Sequence, residues 1–230
     1  SAARTMSRID EADLADTIAR ALSVETDATT VEYLLAAVQR NGAETSLPIL
    51  QQYIEGGGSQ FREQAVKAMR KLNLSASIPV FCRLLGNHSP ALRRQAIEQL
   101  VVLKFESILP RLREMLKEDP DETVRASCAR AIGEFSDDMS VHNLEEALED
   151  HAIVGLQAAI ALGYLGHSSA GPFLLSLMRH QVPEVRCQAV KAIAQLKVEG
   201  VAEQIVPLLE DSDELVRRGA EQSLRDLGHT

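Results

Sequence analysis

Apolar and polar residues alternate along this chain with a helical period, and the alternation itself recurs. An Arg is followed by a small residue three positions on and by large apolar residues at seven and ten. The set appears at Arg62–Ala65–Met69–Leu72, Arg93–Ala96–Leu100–Leu103 and Arg125–Cys128–Ile132–Phe135, and again at Arg186–Ala189–Ile193–Leu196 and Arg217–Ala220–Leu224–Leu227. Gly155–Ala158–Leu162–Leu165 fits the same pattern with Gly in the arginine's place. The anchors Arg62, Arg93, Arg125, Gly155, Arg186 and Arg217 therefore follow one another at a nearly constant interval. Val31, Leu34, Val38 and Asn41 form a degraded opening copy one interval before Arg62. Offsets 0, 3, 7 and 10 lie on one side of a 3.6-residue helix, so each copy predicts an amphipathic helix with one buried stripe.

Upstream of each copy lies a second apolar run: Ile78–Leu85, Ile108–Leu116, Val141–Leu148, Phe173–Met178 and Ile205–Leu209. These predict the first helix of each pair. Ser77, Ser107 and Ser140 stand where that helix needs an N-cap oxygen. Pro90, Pro120 and Pro183 stand where the second helix begins and a missing N–H costs nothing. Asp119-Pro120-Asp121-Glu122 reads as a capping box, and Pro207 as a kink inside its run. A lone pair cannot bury its stripe, whereas stacked pairs share a continuous core. The expected architecture is all-α: a right-handed α-α superhelix of about seven stacked helix pairs. Residues 1–42 are expected to form an irregular capping pair running from about Ile9, and residues 43–230 six repeats in one continuous domain.

Composition then narrows function. A net charge of −9, no Trp and 3% aromatics oppose nucleic-acid binding, which wants clustered cations and stacking rings. No apolar stretch reaches the length of a membrane span. Cys82, Cys128 and Cys187 are odd in number and far apart, which predicts neither disulfides nor zinc and suits a reducing cytoplasm. Ser1-Ala2-Ala3 reads as a cloning remnant on a piece of something longer. Gly56-Gly57-Gly58 lacks the Lys of a phosphate loop and reads as a turn. His88, His151 and His180 fall in inter-helix turns, where His151 and His180 with Asp150 are a conceivable metal set. Polar residues on a solvated edge are far commoner, so no metal, cofactor or catalytic residue is expected, and the chain is expected not to be an enzyme.

Pro48, Pro79, Pro110 and Pro172 opening the first helices, with Val124-Arg125, Val185-Arg186 and Val216-Arg217 in the second, resemble HEAT repeats. The short period resembles the bacterial HEAT-like class found in phycobilin lyases. The resemblance implies a ladder in which the anchor arginines Arg62, Arg93, Arg125, Arg186 and Arg217 meet a turn aspartate, matched here by Asp119 and Asp211. Asn87 replaces that aspartate, and His180 departs from it. The iron site of deoxyhypusine hydroxylase is not implied, because no His-Glu dipeptide occurs.

With offsets 0, 3, 7 and 10 buried, offsets 1, 5, 8 and 9 should face open space on the inner curve. In the middle of the array that face is apolar: Leu156, Ile160 and Tyr164, with Val101 and Val102 on an earlier copy. Arg130, Glu134 and Lys191 border it. An exposed apolar strip of this kind marks an interaction site. Gln64, Gln95, Gln157 and Gln188 recur at offset two. Between Ala131 and Met178 there is no Lys or Arg but seven acids, Glu134, Asp137, Asp138, Glu145, Glu146, Glu149 and Asp150. The expected partner is therefore a protein, as a peptide or amphipathic helix with basic flanks, or a second copy in a homodimer. A non-enzymatic adaptor is the leading expectation. A phycobilin-lyase-like or chaperone subunit and a regulatory module of a larger signalling protein are the alternatives.

Overall fold

The computed structural model describes residues 11–41, 44–56, 59–72, 74–196 and 200–229. Ser1-Ala2-Ala3, Ile9, Gly57 and Gly58 lie outside the described residues. Every regular element among those described is helical, and fourteen α-helices fall into seven pairs. The chain divides into two compact units, Ser1–Phe105 and Glu106–Thr230.

Unit 1 holds α1 (Glu11–Val24) with α2 (Ala28–Asn41), α3 (Leu47–Gly56) with α4 (Ser59–Leu72), and α5 (Ile78–Leu84) with α6 (Pro90–Val102). Leu22, Leu35, Leu50, Met69, Phe81, Ile97 and Leu100 are fully buried and form its core. Unit 2 holds α7 (Leu109–Glu118) with α8 (Glu122–Glu134) and α9 (Val141–Ala147) with α10 (Ala152–Tyr164). It continues with α11 (Ala170–Leu177) and α12 (Pro183–Gln195), then α13 (Val201–Ile205) and α14 (Glu214–Asp226). Its core is Leu112, Ile132, Leu144, Leu156 and Leu162. Each such side chain contributes about 1.5–3 kcal/mol by leaving water. Within unit 2 the second helices α8, α10, α12 and α14 pack side by side in chain order, as expected of a solenoid of stacked pairs.

Local chemistry explains the joints. Second helices end in a left-handed residue at Lys104, Ser136, Gly166 and Gly228. There the amide one residue further on reaches back to close the last turn, as in Phe105 to Leu100 and His167 to Leu162, both at 2.9 Å. At Pro207 the first helix of the last pair breaks: α13 ends at Ile205 and a 3-10 turn, Val206–Glu210, follows.

The three expected serine caps are otherwise. Ser77 and Ser140 are buried and cap no helix. They close the 3-10 turns that precede the first helices, Ser77 donating to the Leu74 carbonyl at 2.5 Å and Ser140 to the Asp137 carboxylate. Ser107 is exposed within the equivalent turn, Glu106–Ile108. Asp121 alone caps α8, accepting from the amides of Thr123 (2.9 Å) and Val124 (3.2 Å), which leaves Pro120 before the helix. Pro90 and Pro183 are first residues of α6 and α12.

Candidate binding face of the second helices

The anchor arginines are rungs of a ladder. Four of them offer Nη1 to carbonyls of their own pair's turn: Arg93 to Asn87 (2.8 Å), Arg125 to Asp119 (2.8 Å), Arg186 to His180 (2.8 Å) and Arg217 to Asp211 (2.7 Å). Arg62 reaches the Ile54 carbonyl through Nε at 2.8 Å. Arg125 and Arg186 also grip the next turn's carboxylate with both remaining nitrogens. Arg125 holds Asp150 at 2.6 and 2.7 Å, and Arg186 holds Asp211 at 2.9 and 2.7 Å. Planar guanidinium and carboxylate match in this two-point contact, and each pair staples one repeat to the next. Asp119 also steadies its own turn, accepting from the Asp121 amide at 3.0 Å.

Asp150 was not anticipated as a rung. The spacing could have shown it, since Asp150 follows Arg125 by 25 residues, as Asp211 follows Arg186. With both carboxylate oxygens on Arg125, Asp150 is taken up by the ladder. His180 accepts the Val182 amide at 3.1 Å through Nδ1, and His151 lies 3.6 Å from Glu122. The ladder is interrupted at α10, where Gly155 replaces the arginine and His180 stands in the register position of its aspartate. Both ends of one rung are missing together.

The carboxyl groups of Asp150 and Asp211 titrate below the ordinary range, first because Arg125 and Arg186 hydrogen-bond their ionised forms, with burial opposing. At Asp137 burial is the largest influence and would raise the value, but the Ser140 hydroxyl and Arg113, at 2.5 Å, together pull it down. A depressed folded pKa gives stability that is complete above the unfolded value of about 3.9 and is lost as pH falls through the folded value. Unit 2 is therefore expected to weaken below about pH 4. Urea midpoints followed by circular dichroism from neutral to acid pH check this. The double variant Asp150→Asn, Asp211→Asn should start lower and show a flatter acid limb.

The expected strip is partly corrected. Leu156 is 2% exposed and belongs to the core, so it is no docking residue. The physical reason is helix phase: offset one points at the neighbouring second helix, not at open space. Ala126 and Cys187, its equivalents on α8 and α12, are buried as well. A Cβ on Gly219 would lie 2.9 Å from the Cys187 sulfur, and one on Gly133, at offset eight, 2.8 Å from the Ala161 Cβ. Small residues at offsets one and eight, with Gly219 at offset two of α14, let second helices approach closely.

Outward lie offsets five and nine, with the residue two before the anchor. On α10 these are Ile160 (half-buried), Tyr164 (62% exposed) and Ile153 (40% exposed), the last missed by sequence reasoning. Gln157 is half-buried between them. Arg130 and Glu134 on α8 and Lys191 on α12 are exposed at the matching offsets. Val101 (half-buried) and Val102 (57% exposed) lie in unit 1. The strip is thus three apolar side chains on one helix, bordered by charge. No described helix is long and apolar enough to cross a membrane.

A profile of HEAT repeats matches residues 48–133, 78–154 and 143–225. The chain belongs to the HEAT-repeat family. Over 199 residues, 86% of its length, this HEAT-repeat chain is 28% identical to the phycocyanobilin lyase subunit alpha of Nostoc sp. (strain PCC 7120), and it spans 61% of that subunit. It is similar in fold to a chain in the complex of CpcE and CpcF of phycocyanin lyase from Nostoc sp. PCC7120, with TM-score 0.59, 17% identity and 93% of each chain covered. An engineered protein matches with TM-score 0.55 and 15% identity over 93% of this chain and 68% of its own. The expectation of a chain that is not an enzyme is thereby corrected, since the natural relatives are subunits of a lyase. Composition and spacing missed this because a repeat scaffold carries no catalytic motif to find.

Proposed function

We propose that this HEAT-repeat chain is a lyase-type subunit that holds an open-chain tetrapyrrole on the second-helix face of unit 2 and acts on it together with a second protein chain. The observation that carries the reading is the likeness to phycocyanobilin lyase subunit alpha, which extends over 86% of the chain. The geometry is compatible in kind. A conjugated bilin needs an apolar surface for its rings, and Ile153, Ile160 and Tyr164 present one along a single helix. An aromatic ring such as that of Tyr164 also stacks on a flat π-system, a contact worth about 0.5–1.5 kcal/mol beyond area. The protein partner expected from sequence keeps its place as the second chain.

Titration with phycocyanobilin tests the reading through its long-wavelength absorption and induced circular dichroism. Wild type should shift and sharpen the band, alone or with a second lyase subunit present. Ile153→Asp plus Tyr164→Asp alters exposed positions and should weaken binding about tenfold or more, at least ~1.4 kcal/mol, with helical content unchanged. Absence of any spectral change, with or without the second subunit, overturns the assignment. Full binding by the double variant removes this face from it.

A further inference from the structure

Around the strip of α10 the charge pattern is sparse. No Lys or Arg occurs between Ala131 and Met178, so α10 and α9 bring no cation of their own. Arg125 and Arg186 are committed to Asp150 and Asp211. Arg130 on α8 and Lys191 on α12 are described cations that flank the strip, both five residues past their anchors and level with Ile160 at the same offset on α10. Both are exposed, and Arg130 lies 4.0 Å from Glu134 one turn on. The stem of Lys191 lies towards α14, its Cε 3.8 Å from the point a Cβ on Gly219 would occupy.

We propose that Arg130 and Lys191 are the positioning residues for the two propionate carboxylates of a linear tetrapyrrole lying across α10. This rests on the bilin reading above and names the charged half of the same site. Such a ligand has an apolar ring face and two carboxylates on its adjacent middle rings. The face here has an apolar centre and one cation on each side. Packed helix axes lie about 8–10 Å apart, so α8 and α12 stand roughly 16–20 Å apart with α10 between them. Two long basic side chains close that span from either side. Arg130 takes its carboxylate by two parallel hydrogen bonds, whereas Lys191, a point charge on a flexible stem, swings in from over Gly219. The arrangement fixes which way the rings face without placing a charge in the apolar centre.

Phycocyanobilin and its dimethyl ester, which keeps the rings and lacks the charges, separate this proposal from the reading beneath it. Wild type should bind the free acid about tenfold more tightly than the ester, and the preference should shrink as salt is raised. Arg130→Met and Lys191→Met should each weaken the acid several-fold and leave the ester unchanged, and Arg130→Lys should recover part of the loss. Equal affinity for acid and ester in wild type, with binding still abolished by Ile153→Asp plus Tyr164→Asp, overturns the carboxylate clamp while the bilin site stands. If neither compound binds, both ideas fall together.

Discussion

Restoring the missing rung, by Gly155→Arg with His180→Asp, is expected to destabilise unit 2 by about 3 kcal/mol, the opposite of what repeat consensus suggests. A Cβ on residue 155 would lie 2.5 Å from the Phe173 ring tip and 2.9 Å from the Leu148 carbonyl oxygen. The ring tip can yield, but the carbonyl is backbone at the end of the first helix of the same pair and cannot move without displacing it. Phe173 follows Pro172 where Ile49, Val80 and Arg111 follow Pro48, Pro79 and Pro110, and its ring tip fills the space beside Gly155. Adding Phe173→Ala should therefore recover part of the loss. Urea unfolding of the four variants in a cycle measures the coupling between the positions. A stabilised Gly155→Arg, His180→Asp protein would show that the ring is not what excludes a side chain at 155.

The second large effect is expected at Leu156→Asp. Removing this buried side chain costs about 3–5 kcal/mol by analogy with other core leucine truncations, and the carboxyl adds the penalty of a polar group without a partner. Against a typical total of roughly 5–15 kcal/mol, unit 2 should be largely unfolded or reduced to a fraction of its stability. Tyr164→Asp, further along the same helix, should change stability by less than about 0.5 kcal/mol because that side chain is 62% exposed. Thermal melts by circular dichroism compare the two directly. Equal, small shifts in both would mean that Leu156 is not in the core.

The contrast between Leu156 and Tyr164 shows how far periodicity reaches. The offsets that build the stripe beneath each second helix were legible because burial against the first helix follows the helical period. Offsets one and eight were not, since their burial depends on a helix one whole repeat away in sequence. The small residues Gly133 and Gly219, which bring that helix close, look like ordinary helix-weakening glycines until their neighbours are in place. Asp150 was similarly visible but not matched to the ladder: it was weighed with His151 as a metal ligand, set aside, and left among the surface acids, while Arg125 claims both of its oxygens. Function was less legible still. A scaffold of repeats repeats its packing residues, and these say nothing of what the outer face receives.

By itself the sequence determined the all-helical repeat, its period, the anchor arginines and the absence of the rung at Gly155. All of these follow from local periodicity and from residue types recurring in register. Only the tertiary structure decided which side of α10 is open, that Ile153 replaces Leu156 on it, and that Phe173 occupies the space left at Gly155. Those depend on how closely neighbouring helices approach, a distance set by pairs of side chains far apart along the chain.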